Sequence, residues 1–541
     1  MKGFLQIFFY SLLSSVLLSL GIPNELFYFG SPILGLFSLV PLYLALDKCK
    51  TYKVAGFATS MQFGFTHIFS SFWLANFKDF AIFTLGASAL AYFVAGFVFG
   101  LVLYLPFSTK KNKLITVNKN SFYFPMRILY FASIWTIHEW YKSVGFLAYP
   151  WGTVLMSAYK WKLLTQIVSV TGTFGLSFLF SFFSGVFAEG LLILRDFPKK
   201  TFSSFNYTAA FCITLFAIST VFGAITYTKN PLPIKTFDAV LVQQNSDSWE
   251  DNHGETIILA QKLTANAVSE FNKKTGKNPD IILWNEAVLT YALPDSYYYY
   301  CTIPFGNSLI SSIYNLKIPH LIGGPILVNE DEQLYSNSVI LFDKLGDMEK
   351  WYGKIHLVPF AEAIPYADKP FVKKMMNAIV GFSSGWTPGK ELTLFQLENK
   401  QGDVINFSTP ICFEDAFSDL CRQHFLNGSE VYINLTNDSW SLTKSAEYQH
   451  FVIASYRAIE CRTTLVRSTN SGFSVVVDPF GNIIDSMPLF ESTSKTVSVP
   501  IYERILTPFA ITGNIIQYFA IIFVLICIIF FRKNIFKNFL C

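Results

Sequence analysis

The apolar residues of this chain are gathered into long runs that fill residues 1–228, stop, and return once near 512–531. An α-helix needs roughly 20 mostly apolar residues to cross the hydrocarbon of a bilayer. Inside that layer its backbone polar groups must be satisfied within the segment itself. Eight such runs are read, at 3–21, 26–46, 54–75, 80–107, 122–142, 173–194, 206–227 and 512–531. An α-helical membrane bundle of eight spans is the expectation. Charged residues make up 14% of the 541 positions, against about 25% in a soluble protein. That excludes a purely soluble enzyme and a disordered chain. The net charge of +4 is too small to point to nucleic acid.

The short loops predict orientation. Lys2, Lys48, Lys50, Lys53, Lys110, Lys111, Lys113, Lys119, Arg127, Arg195, Lys199, Lys200, Arg532, Lys533 and Lys537 all fall on one side of an eight-span chain. The opposite loops hold only Lys78, Lys160 and Lys162. The Lys/Arg-rich side is the cytoplasmic one, so residues 229–511 are expected outside the cytoplasm. The first run lacks a small-x-small cleavage site and a second run follows at once, so it is read as a span rather than a cleaved signal.

Residues 229–511 change character. Apolar strands are read at 237–245, 279–286, 320–328, 336–343, 405–414, 431–438, 463–470 and 473–479, and helices at 252–275, 305–315, 415–426 and 444–462. Continuous apolar strands alternating with helices indicate an α/β sheet covered on both sides. The division is a seven-span bundle over 1–228, an outer domain over 229–511, and a final span with a short cytoplasmic tail over 512–541.

Chemistry-bearing residues sit at strand ends. No Cys pair has CxxC spacing, so no metal site is expected. Cys412 ends an apolar strand and precedes a helical stretch, near the positive end of the helix dipole, which favours thiolate. A Cys taken at random is more often a buried structural residue. Glu286 closes IILWNE and Lys354 closes KWYGK; each read alone is an ordinary surface charge. Brought to one sheet edge with Cys412, the Glu takes and returns a proton and the Lys stabilises a tetrahedral oxyanion.

LWNE, then GKxHLVPFxE, then ICFED resemble, in this order, the Glu–Lys–Cys signature of the nitrilase superfamily. With EWxxxxGFLAYPW at 139–151, GTFGLSF at 172–178, TNDSW at 436–440 and RSTNSG at 467–472, nearly the whole chain is similar to the apolipoprotein N-acyltransferases. The resemblance implies a nitrilase-like αββα sandwich outside the cytoplasmic (inner) membrane of a bacterium, on its periplasmic side. It implies Glu286 as general base, Lys354 as stabilising lysine, Cys412 as nucleophile and Glu362 as a second essential Glu. Glu414, Phe413 and Trp249 fall on supporting or substrate-binding positions. The implied reaction moves the sn-1 acyl chain of a phospholipid to Cys412 as a thioester, then to the N-terminal amine of a diacylated apolipoprotein. No cofactor is implied; the expected partners are the phospholipid, the apolipoprotein and the bilayer, acting on a monomer. WNEA, HLVPFAE and CFE stand where the family has WPET, HLVPFGE and CYE, so no phenolic hydroxyl lies beside the nucleophile.

The apolar stretch 371–386, with Met375, Met376, Ile379 and Trp386 beside Lys373 and Lys374, reads either as a membrane-touching lid or as a helix packed in its own domain. Tyr297 to Tyr300 with Phe305 reads either as an interfacial patch or as loop packing. GFSSG at 381–385 fits G-x-S-x-G but lacks the strand before and helix after that an elbow needs. His138 and Glu139 at a span end are read as structural or at the substrate mouth, and Gln449 and His450 as packing residues. Two other functions fit the composition: a membrane-tethered amidase using the same triad with water as acceptor, and a transporter or receptor with an inactive outer domain. No repeated or broken spans support the latter.

Overall fold

A computed structural model describes residues 2–77, 81–108, 122–229, 231–246, 253–364, 366, 369–374 and 385–539. Lys78, Lys110, Lys111, Lys113, Lys119, Trp249, Met375, Met376, Ile379 and the GFSS of the GFSSG motif lie outside the described residues. The chain divides into two compact units: Met1–Asn230 with Thr443–Val452 and Ile511–Cys541, and Pro231–Leu442 with Ile453–Ala510.

The first unit is helical. Among the described residues four helices are long and apolar enough to cross a membrane: Gly3–Gly21, Thr84–Leu103, Phe174–Asp196 and Ser203–Thr228. The other four expected spans do not meet that measure of length and composition among the described residues. The run 26–46 is not one helix; it forms Pro32–Phe37 and Val40–Lys48. Pro41 has no N–H to continue the first helix and instead sits in the first turn of the second. Tyr52–Ser70 and Tyr123–Tyr141 are long, but Gln62, Thr66 and His67, and Arg127, His138 and Glu139, dilute their hydropathy. The last run lies in the helix Ile516–Phe539.

Arg127 is not a loop charge either. It is buried within its helix, 2.9 Å from Asp47 and 2.9 Å from Glu189. Helices approach closely where side chains are small. A Cβ on Gly100 would lie 2.7 Å from the Ala55 oxygen and 2.7 Å from the Gly56 Cα, so Gly96 and Gly100 let Ser88–Leu103 meet Tyr52–Ser70. Residues 443–452, read from sequence as part of the outer domain, belong to this unit: the Gln449 amide donates to the carbonyls of Pro23 and Ser70, at 2.9 Å each, and Tyr448 stacks on Tyr28.

Among the described residues the second unit holds twelve strands: β1 Lys235–Gln243, β2 Ile281–Trp284, β3 His320–Asn329, β4 Leu334–Phe342, β5 Met348–Gly353, β6 Phe395–Glu398, β7 Val404–Ser408, β8 Val431–Thr436, β9 Thr464–Thr469, β10 Val475–Val477, β11 Ile483–Ser486 and β12 Thr493–Ile501. They form two six-stranded sheets, ordered β12-β1-β2-β3-β4-β5 and β11-β10-β9-β8-β7-β6. In each, three central strands are parallel and the flanking ones antiparallel. Alternate residues of both sheets, among them Leu241, Leu283, Leu341, Phe407, Ile433 and Val466, make one buried core. The opposite face of the first sheet packs on His253–Thr275 and Leu309–Leu316 through Ile257, Ala260 and Ile313. Beyond the second sheet, the Tyr432 hydroxyl donates to the Cys421 carbonyl of helix Ser418–Leu426 at 2.7 Å. The layers are αββα. Burial on both faces is why the central strands read as unbroken apolar runs. The edge strands β5, β6, β11 and β12 escaped the sequence reading because their exposed residues dilute the pattern.

Candidate active site

The carboxyl ends of β2, β5, β7 and β8 open at one edge of the sandwich, the place where α/β sheets present ligand-binding loops. Glu286 follows β2, Lys354 follows β5, Cys412 follows β7, and Asn437 follows β8. Gly323 on β3 is needed for the first of these: a Cβ there would lie 2.6 Å from the Asn285 oxygen and 2.6 Å from the Glu286 Cα.

Lys354 is fully buried. Its Nζ donates to Glu286 Oε1 at 3.1 Å and to Glu362 Oε1 at 2.8 Å. Asn337, near the start of β4, donates from Nδ2 to the same two oxygens, at 2.8 and 2.9 Å. The second oxygens are held by backbone: Asn437 N–H donates to Glu286 Oε2 at 3.0 Å, and Val358 N–H to Glu362 Oε2 at 2.8 Å. Burial works against the Lys354 charge, but Glu286, Glu362 and Cys412 outweigh it and hold the ammonium well above the ordinary lysine range.

Cys412 opens the 3₁₀ turn Cys412–Ala416, with φ +48°. That is the left-handed region, uncommon for a side chain with a Cβ and often found where a reactive group is presented. The Asn434 amide fixes the turn by donating to the carbonyls of Pro410 and Cys412, at 2.9 and 3.1 Å. The helix Ser418–Leu426 starts six residues beyond the thiol, and the expected thiolate is corrected: burial first, then the Glu286 carboxylate, push the half-buried thiol well above its ordinary value, and Lys354 only partly offsets them. The resting thiol keeps its proton, so reaction there calls for a base.

Glu414 is buried beneath the site. Its Oε1 accepts the backbone N–H groups of Ile355 and His356, at 2.7 and 2.9 Å, and its Oε2 that of Ile411, at 2.7 Å. The Tyr352 hydroxyl donates to both oxygens at 3.1 Å. This carboxyl ties the segment after Lys354 to the turn before Cys412. Burial pushes it up to about 7, against those backbone donors. Phe413 is buried and meets Phe417 edge to face, and Phe417 stacks on His356 at 4.6 Å.

The geometry therefore brings Glu286, Lys354, Glu362 and Cys412 to one place and sets Glu414 and Phe413 behind it. Trp386 is partly exposed, and its backbone N–H donates to the Glu362 backbone carbonyl at 2.8 Å. Of the aromatic run, Tyr300 is buried and bonded to the Tyr291 backbone while Tyr298 and Phe305 are exposed. Glu139 lies inside the helical unit, accepting from Trp135, Val154 and Ser177. Sequence reasoning missed Asn337, Asn437 and Tyr352. Asn337 lies between Ser336 and Ser338 and carried no signal in the sequence.

The model for the apolipoprotein N-acyltransferase N-terminal domain matches residues 14–186, and that for carbon-nitrogen hydrolase matches residues 239–502. Apolipoprotein N-acyltransferase 2 of Treponema denticola is 43% identical over 508 residues, covering 93% of both chains. Apolipoprotein N-acyltransferase 2 of Treponema pallidum is 38% identical, covering 92% of this chain and 90% of its own. Apolipoprotein N-acyltransferase of Borreliella burgdorferi is 30% identical, covering 91% of both. The chain belongs to the apolipoprotein N-acyltransferase family: it is a membrane protein and an acyltransferase, with a catalytic domain of the carbon-nitrogen hydrolase superfamily.

Proposed function

We propose that this acyltransferase moves the sn-1 acyl chain of a phospholipid, through a thioester on Cys412, to the N-terminal amine of a diacylglyceryl-Cys apolipoprotein, completing lipoprotein maturation. The observation that carries this reading is the buried Lys354 ammonium held between Glu286 and Glu362, with its charge acting on the Cys412 thiol.

Among the described residues, Glu286 Oε1 is occupied by Lys354 and Asn337, and Oε2 accepts the Asn437 N–H alone. A carboxylate oxygen has two acceptor directions, so Oε2 is the atom that takes the Cys412 proton. The sulfur then attacks the ester carbonyl. An ammonium has three donors; Lys354 spends two on the carboxylates, and the third meets the developing oxyanion. The ester C–O bond breaks, Glu286 returns the proton to the leaving lysophospholipid oxygen, and a thioester remains. In the second half the lipoprotein amine attacks that thioester. Glu286 takes the ammonium proton and passes it to the departing Cys412 sulfur, restoring the thiol.

In this reading residues 1–228 and 512–541 hold the enzyme, as a monomer, in the cytoplasmic (inner) membrane of a bacterium. Residues 229–511 act on the periplasmic side, as the Lys/Arg bias supports. Trp249 and Phe413 act as supporting or substrate-binding residues. The stretch bearing Met375, Met376, Ile379 and Trp386 acts as a lid for lipid substrates.

Mass spectrometry of the full-length protein after incubation with a phospholipid of defined acyl chains tests this. A fatty-acyl mass on the Cys412 peptide and release of lysophospholipid are expected. Lysophospholipid release persisting in Cys412→Ala would overturn the mechanism. Adding a diacylated lipopeptide should give the N-acylated product; free fatty acid alone would mean a hydrolase.

A further inference from the structure

Glu286 and Glu362 aim their Oε1 atoms at the same two donors, Lys354 Nζ and Asn337 Nδ2. Two carboxylates sharing one site repel, and the repulsion favours keeping one of them protonated. A single ammonium cannot neutralise both. Asn337 supplies the second bridge without adding charge: its one nitrogen has two hydrogens, one for each carboxylate. It is 6% exposed, so water does not compete for those bonds. Its own carbonyl accepts the Lys354 N–H at 2.8 Å, so the same residue also fixes the backbone that carries the ammonium.

On the reading of Glu286 as base, we propose that Asn337 is a positioning residue of the acyl-transfer site, keeping Glu286 and Glu362 ionised together so that Glu286 accepts the Cys412 proton. The charged and titratable groups around this bridge are Lys354 from the end of β5, Glu362 from the loop after it, Cys412 from the turn after β7 and Asp438 from the loop after β8; Glu414 lies across Lys354. Aspartate at position 337 would remove both donations and set three carboxylates against one ammonium.

The test is the pH dependence of lysophospholipid release in the first turnover, measured on the full chain in detergent micelles. Asn337→Ala and Asn337→Asp are each expected to slow release about 10- to 100-fold, with KM for phospholipid nearly unchanged. The acid limb of the profile should move to higher pH, by about one unit or more in Asn337→Asp and by less in Asn337→Ala. Asn337→Ser, which keeps one donor, should fall between Ala and wild type and serves if Asn337→Asp fails to fold. Variants that lose rate or thermal stability while the acid limb stays in place would overturn the proposal, leaving Asn337 a packing residue. Glu286→Gln separates the two readings. If it still releases lysophospholipid, Glu286 is not the base and both fall; if it is inactive while the Asn337 variants titrate like wild type, only the Asn337 proposal falls.

Discussion

Glu414 Oε1 accepts the Ile355 N–H at 2.7 Å, and through that bond the turn bearing Cys412 is fastened to the residue after Lys354. The relationship carries a pH dependence. The carboxyl loses its proton near 4.5 in the unfolded chain and near about 7 in the folded one. Between those values the folded state binds more protons, so stability falls as pH rises. Thermal midpoints in detergent should decline from about pH 5 to about pH 7, and Glu414→Gln should flatten that slope. The same variant puts an amide NH₂ against backbone N–H donors, so it should lower the midpoint at pH 5 and slow acyl-enzyme formation at least about tenfold. A slope unchanged in Glu414→Gln would show that another group causes it.

Lys354→Met leaves Glu286 and Glu362 facing each other in a buried site without a cation. Removing one partner of a buried ion pair costs about 3–5 kcal/mol, and the oxyanion donor goes with it. Acyl-enzyme formation should fall at least about 10³-fold, with a clear drop in thermal midpoint. Mass spectrometry of the Cys412 peptide at fixed times measures the first and a melting curve the second; a variant that acylates at the wild-type rate rules out Lys354 as the oxyanion donor.

Cys412→Ser keeps the turn but replaces a thiol with an alcohol whose proton is much harder to remove. The rate should fall at least about 10³-fold with little change in thermal midpoint. Wild-type turnover of phospholipid by this variant would move the nucleophile elsewhere.

Gly100→Leu places side-chain atoms where the Ala55 oxygen and Gly56 Cα already stand. The helices Ser88–Leu103 and Tyr52–Ser70 would have to separate, a cost of at least about 1–3 kcal/mol. A lower thermal midpoint is expected, whereas Gly3→Ala, where a Cβ meets nothing within 4 Å, should cost less than Gly100→Leu. Equal midpoints for the two variants would remove close helix packing as the reason for Gly100.

Much of the outer domain was legible because its central strands are buried on both faces: IILW and VYINLT are apolar at nearly every position and sit in the sheets as read. The strand β5, MEKWYG, was not, because only its last two residues are buried. Glu286 and Cys412 stand out because each follows an apolar strand, and Lys354 because it closes KWYGK ahead of HLVPF. Asn337 was passed over because an amide inside SNSVILF has no such contrast.

The linear order of residues determined that this chain has apolar helices, a separate α/β domain, and a glutamate, a lysine and a cysteine at strand ends, because hydropathy period and composition are local properties. The tertiary structure alone decided which donors each oxygen of Glu286 meets, that the Cys412 thiol is pushed up by burial, and that Glu414 lies behind the site rather than in it. Those outcomes depend on distances between residues far apart in sequence and on how much water reaches them, and neither is written in any one segment.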